Sequence, residues 1–368
     1  MTAITLPTLP EEMTPSWLTG ALRTGGVLDG NASVASVSSQ VVGEGIGFIG
    51  IVARMTVAYE GATTAPRSMF VKFPSPDPGS RQVGNLYGLY EREVRFYNEL
   101  AASSGIDVPA CYFADYDADA GQSVVILEDL TGAGRFGDQV TGCTPDEARL
   151  AIGSMAKFHS SFWQHPRLDE ISWMVTGDAL VRNAMLMAYD ACWPIYVQRF
   201  GKASTPEMEA AGPTLGRRIV AQLDQFADNP LTIVHGDYRP DNLFFGSEQS
   251  ARPLVIFDWQ SPNRGWSAYD LAYFIAGCFD IETRRKHEND LVAEYHELLC
   301  AGGVTGYSLE KLRHHYRACL AVMTGIGIIN GATLPTTNQR AVDLFDQMLG
   351  RFFAAIEDQE ALSVLPEV

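Results

Sequence analysis

The segment VHGDYRPDNLFFG, residues 234–246, constrains this chain more tightly than any other stretch. It places His235, Asp237, Arg239, Asp241 and Asn242 in one short loop between the apolar pair Ile233-Val234 and the apolar run Leu243-Phe244-Phe245. Polar groups beside buried strands cost about 1–3 kcal/mol each when left unpaired. Such a loop therefore belongs to a fold that supplies partners from elsewhere: internal hydrogen bonds, a metal ion or a substrate.

The rest of the composition narrows the setting. A chain of 368 residues, 46% of them hydrophobic, is long enough for two or three lobes or domains with sizeable cores. Its formal charge of -17, from 27 basic and 44 acidic residues, argues against nucleic acid or an anionic membrane as the main partner. The six cysteines are scattered, with no C-x-x-C and no Cys/His cluster, and read as reduced core residues. The opening MTAITLPTLPEEM has neither a basic nor an apolar signal region, and LAVMTGIGIINGATL, residues 320–334, is too short and too rich in Gly and Thr to span a bilayer. A cytoplasmic enzyme or binding protein is the expectation.

Along the chain the hydrophobic period changes once. Residues 1–33 read as an N-terminal extension with one short helix, capped by Thr14 with Pro15 in its first turn. Strand-like runs follow at 35–42, 51–59 and 68–73, the first two joined by the glycine-rich GEGIGFIG. Residues 86–103 predict one helix, and 111–118 and 123–130 predict two more strands about the turn DADAGQ. Beyond Leu130 the pattern is mainly helical, interrupted by the opening loop and the strand PLVIFDW. The expected fold class is α+β: a β-rich lobe over 34–130 with one main helix, then a mostly α-helical lobe over 131–368.

Chemistry-bearing residues fall at three places. Gly43, Gly45 and Gly47 would let backbone N–H groups approach anionic oxygens, although a glycine-rich hairpin turn with no ligand has the same composition. Lys72, between Val71 and Phe73, needs an anionic partner if buried; Glu93 on the following helix is one, and a lysine snorkelling from an edge strand is the alternative. In the opening loop, Asp237 offers a carboxylate to take a hydroxyl proton, and Asn242, five residues on, offers an amide oxygen for Mg²⁺. Asp258, ending PLVIFDW, is a second oxygen ligand that a hairpin would bring beside Asn242.

Taken in order, the glycine loop, Lys72, Glu93, VVILEDL, HGDYRPDN, FDW and YDLAYF resemble the aminoglycoside phosphotransferase and choline kinase-like family, from about residue 38 onward. The resemblance implies a two-lobed protein-kinase-like fold and transfer of the γ-phosphoryl group of ATP to a hydroxyl of a small molecule. It implies Asp237 as catalytic base, Asn242 and Asp258 as Mg²⁺ ligands, Lys72 as phosphate clamp with Glu93 as its partner, and Glu128 to Leu130 as the hinge at the adenine edge. His235 and Asp270 would brace the loop, and His159 would be packed rather than catalytic. LEDL and DWQ…RGWSAYDLAYF resemble the ecdysteroid kinase-like group, which usually carries tryptophan where this chain has Arg239. Two other functions fit these motifs less well. A nucleotide-binding pseudokinase scaffold is disfavoured because no motif is missing; a protein kinase is disfavoured because no APE-like element follows FDW. Trp163, Trp193, Tyr196 and Trp266 are candidates for an acceptor pocket or for core, and Asp343, Asp346, Glu357 and Asp358 read as a solvated helix face.

Overall fold

The structure, a computed structural model, describes residues 5–42, 49–201, 206–226, 230–333 and 339–368. They divide into two compact units: Met1–Ser103 with Asp107–Gly134 and Val255–Ser261, and Ser104–Ile106 with Arg135–Leu254 and Pro262–Val368.

The first unit is built on β1 (Ser33–Val42), β2 (Gly50–Glu60), β3 (Ser68–Pro74), β4 (Cys111–Asp117) and β5 (Gln122–Glu128), an antiparallel sheet in the order β1-β2-β3-β5-β4. Strand alternation puts Met69, Val71 and Phe73 of β3 into one buried cluster. There they meet Leu18, Ala21 and Leu22 of α1 (Pro15–Thr24). The segment read as an extension thus supplies a helix to this core, and Thr14 caps it by accepting the Trp17 N–H at 3.2 Å. The same alternation turns Lys72 to the opposite face, in register with Val52 and Val125.

The helix expected over 86–103 starts at Leu89 and runs on to Ser103 in α, π and 3-10 turns, and a separate helix precedes it. α2 (Pro78–Leu86) ends before Gly88, whose φ of 64° lies in the left-handed region, and α3 (Leu89–Arg95) starts immediately after. The break between the two rests on a backbone angle that glycine adopts at little cost. Phe96–Leu100 continues α3 as a widened π turn.

In the second unit, α4 (Pro145–Ser161) begins with a capping box formed by Thr144 and Glu147. After β6 (Gly134–Phe136) and α4 come α5 (Arg167–Glu170), α6 (Gly177–Phe200) and α7 (Pro206–Phe226). Next are β7 (Thr232–Val234), β8 (Leu243–Gly246) and β10 (Asn263–Gly265), the last paired antiparallel with β7, while β9 (Leu254–Ile256) falls mostly in the first unit. Four helices close the chain: α8 (Ala268–Cys278), α9 (Ile281–Ala301), α10 (Leu309–Thr333) and α11 (Gln339–Asp358). The apolar run on α10 is core, buried from Ala318 to Gly325. Among the described residues no helix is long and apolar enough to cross a membrane. Tyr196 and Trp266 are buried, Trp266 stacked on His315 at 3.5 Å, while Trp163 packs on Tyr307 at 4.9 Å and Trp193 on Tyr196 at 5.9 Å; all four serve packing. Cys192, Cys278 and Cys319 are buried and unpaired as expected of core thiols, whereas Cys300 is exposed.

Asp358 departs from the solvated face expected of it. It ends α11 as the shared acceptor of Arg284, 1% exposed, and Arg285, whose Nε lies at 2.7 Å. Glu288 holds Arg284 from its other side and accepts the Tyr316 hydroxyl at 2.7 Å. Burial pushes the Asp358 carboxyl up, but hydrogen bonds from Arg285 and Arg284 outweigh it and hold the group below the usual carboxylate range. Asp358→Asn is expected to cost about 1–3 kcal/mol at neutral pH, the effect of stripping a charged partner from a buried arginine. A depressed carboxyl stabilises above its unfolded pKa and loses that contribution as pH falls through the folded one. The difference in melting temperature between wild type and variant should therefore be full at pH 7 and close below about pH 4; a gap independent of pH would exclude the ion pair as its source.

Candidate active site

In the first unit the functional side chains gather on Lys72. Its Nζ lies 2.6 Å from Glu93 Oε1 and 2.5 Å from Asp258 Oδ1. This settles the choice left by the sequence: the lysine is held by carboxylates and does not snorkel to solvent. Burial works against its charge, but Asp258 and Glu93 outweigh that and keep the ammonium protonated. Glu93 is 3% exposed, and burial raises its carboxyl against the attraction of Lys72.

Asp258 reaches Lys72 because Val255–Ser261 belongs to the first unit. Two features hold the turn. Asp258 adopts a φ of 66°, a region that aspartate tolerates better than most residues. Trp259 is fully buried, stacked on Phe96 at 3.8 Å with planes 5° apart, and its Nε1–H donates to the Ile256 carbonyl at 3.1 Å. Gln260 donates to Glu93 Oε2 at 3.4 Å, so both Glu93 oxygens are engaged. Neither Trp259 nor Gln260 was singled out from sequence; their adjacency to Asp258 in FDWQ was the available signal. Among the partners of Asp258 is Lys72.

At the end of β5 the Glu128 N–H donates to the Ala110 carbonyl at 2.9 Å, and its carboxylate accepts the Ala110 N–H at 3.1 Å. Leu130 is buried. Between them Asp129, overlooked in the sequence, accepts from Arg54 at 2.7 Å, from Ser68, and from the Thr131 N–H at 2.9 Å. Gly43, Gly45 and Gly47 lie outside the described residues.

In the second unit the opening loop follows fully buried β7. Asp270, in the first turn of α8, accepts the His235 N–H at 2.6 Å and the Gly236 N–H at 2.9 Å. His159 Nε2 lies 3.1 Å from the same carboxylate, and its Nδ1 lies 2.6 Å from the Tyr295 hydroxyl. All three side chains are buried, so this chain of hydrogen bonds is what permits the polar loop beside an apolar strand.

Asp237 then stands among donors. Asn242 Nδ2 gives one hydrogen bond to the Asp237 carbonyl at 2.8 Å and one to Oδ2 at 2.9 Å. That commits the amide nitrogen inward and leaves Oδ1 as the end suited to a cation. Arg239 Nε lies 3.2 Å from Asp237 Oδ1, and its Nη1 pairs with Asp241, which also accepts the Gln139 N–H at 2.6 Å. Burial first, then the Asp237 charge, pushes the Tyr273 phenol well above its ordinary range. Arg239 was not assigned a role from sequence, because its approach to Asp237 depends on the loop's conformation.

A family model described as the ecdysteroid kinase-like family matches residues 44–302. The chain belongs to the ecdysteroid kinase-like family. No curated protein matches it by sequence. Similar solved structures include choline kinase LicA from Streptococcus pneumoniae, 14% identical over 90% of this chain and 96% of that one, TM-score 0.50. Plasmodium vivax ethanolamine kinase is 10% identical over 88% and 84%, TM-score 0.51. Amicoumacin kinase hAmiN, in complex with AMP-PNP, Ca²⁺ and Ami, is 10% identical over 85% and 87%, TM-score 0.51. At these identities they establish the fold, which for this ecdysteroid kinase-like protein is α+β and protein-kinase-like.

Proposed function

We propose that the protein transfers the γ-phosphoryl group of ATP to a hydroxyl of a small molecule. The observation that carries this is the half-buried ammonium of Lys72 held between Glu93 and Asp258, a charged donor with an acidic neighbour suited to a cation. In this role Lys72 binds the triphosphate, oriented by Glu93, which Gln260 and the α3 backbone fix in turn. The hinge segment Glu128 to Leu130 meets the nucleotide base through backbone groups.

Asp258 in the first unit would be a Mg²⁺ ligand, and Asn242 in the second offers the same chemistry. Both offer hard oxygen, the donor that Mg²⁺ takes alongside water and phosphate ligands. When bound, the ion neutralises charge on the phosphates. Support for a nucleotide with a divalent cation in this fold comes from the AMP-PNP and Ca²⁺ of the amicoumacin kinase structure.

Asp237 orients the acceptor hydroxyl and takes its proton as the new oxygen–phosphorus bond forms and ADP departs with the electrons of the broken one. Asp270 fixes the loop by binding its His235 and Gly236 N–H groups. Little covalent chemistry falls to the protein; position and charge supply the rate.

Incubation with Mg-ATP and a panel of hydroxylated metabolites should release ADP in step with phosphorylation of at least one compound. Thermal stabilisation by Mg-ATP with no ADP from any of them would instead identify a nucleotide-binding scaffold.

A further inference from the structure

We propose that Arg239 is a specificity-determining residue, which cancels the charge of Asp237 and so selects acceptors with no cationic group beside the reacting hydroxyl. The proposal rests on the small-molecule kinase reading above and concerns the same site. An isolated carboxylate at the acceptor position attracts an ammonium group, and an amine next to the reacting hydroxyl would profit from it. Here that attraction is already used. Arg239 Nε lies 3.2 Å from Asp237 Oδ1 and 3.3 Å from Oδ2, and its other end is anchored on Asp241.

The other side chain that binds the Asp237 carboxylate among the described residues, the Asn242 amide, is a neutral donor. Asp241 is itself occupied by the Gln139 N–H. Asp237 and Arg239 retain side-chain exposures of 30% and 25%, so an incoming ammonium that reached the carboxylate would meet the guanidinium at contact distance. Like charges juxtaposed in a partly desolvated site are strongly disfavoured.

Arg239 cannot relieve this by losing its proton. Burial opposes its charge, but Asp237 outweighs burial, and a guanidinium stays protonated in proteins. The net charge of -17 draws cations from afar, yet screening confines that pull to about 8–10 Å at physiological ionic strength. At contact, Arg239 decides.

The test uses matched acceptors, each hydroxylated compound paired with an analogue bearing one amine next to the hydroxyl, with kcat/KM measured by ADP release. Wild type is expected to prefer the neutral member by about tenfold or more. Arg239→Leu should shrink that ratio by about tenfold, and Arg239→Lys, which keeps the charge, should preserve it. Because each ratio is taken within one preparation, partial loss of folded protein cancels. Equal use of both members by wild type, or an unchanged ratio in Arg239→Leu, overturns the proposal. ADP release from no pair would remove the kinase reading itself and the proposal with it.

Discussion

Replacing Asp237 by alanine is expected to lower turnover by about 10²–10⁴ while leaving Mg-ATP binding close to that of wild type, the signature of losing a general base rather than a nucleotide ligand. Asp237 is placed for this by a loop whose N–H groups rest on Asp270 and whose Asn242 amide reaches back to it. Alanine would strip Arg239 of one of its two carboxylates, so Asp237→Asn serves as the companion variant. It keeps an oxygen for Arg239 and should show a similar loss of turnover with less change in melting temperature. Steady-state ADP release and a nucleotide thermal shift read the two quantities separately. Wild-type turnover in either variant would remove Asp237 from the chemistry; loss of the thermal shift would move it to nucleotide binding.

Lys72→Met should have the second largest effect, and on two quantities at once. Nucleotide binding is expected to be lost with the ammonium. Stability should also fall by about 3–5 kcal/mol, because Glu93, 3% exposed, is left buried without its counter-charge. The two losses separate in the double variant Lys72→Met/Glu93→Gln, which should recover much of the stability and none of the binding. Proton linkage offers a further check. Burial raises the Glu93 carboxyl, and without Lys72 nothing comparable opposes that rise. A raised carboxyl pKa favours the folded state below it and loses that contribution as pH climbs. The deficit of Lys72→Met should therefore narrow on acidification, and chemical denaturation at several pH values would show it; a deficit that widened would mean Glu93 is not left as an unpaired charge.

Much of this arrangement was legible in the sequence, and for different reasons at different residues. Asp237 and Asn242 sit five apart in one loop, so local chain geometry nearly decides their contact. The strands around Lys72 announced themselves by period, and the capping residue Thr14 was followed by the helix that such a residue starts. Lys72 itself stayed ambiguous, because alternation fixes which face a side chain points from but not what awaits it there. Its second partner, Asp258, is 186 residues away, and the ion pair of Asp358 with Arg285 spans 73. No periodicity reports such separations. Gly88 was invisible for the opposite reason: the determinant there is a single backbone angle.

By itself the sequence determined which side chains are available for chemistry, the α+β succession of elements, and the need for partners around a polar loop set between buried strands. Those follow from short-range rules, since hydrophobic period, capping and desolvation act over a few residues. Only the tertiary structure decided that Lys72 is shared by Glu93 and Asp258, that Asp270 and His159 carry the loop, and that Arg239 neutralises Asp237. Charge pairing acts through space at a few ångströms and is indifferent to the length of chain between its partners, so it becomes readable only once the fold has brought them together.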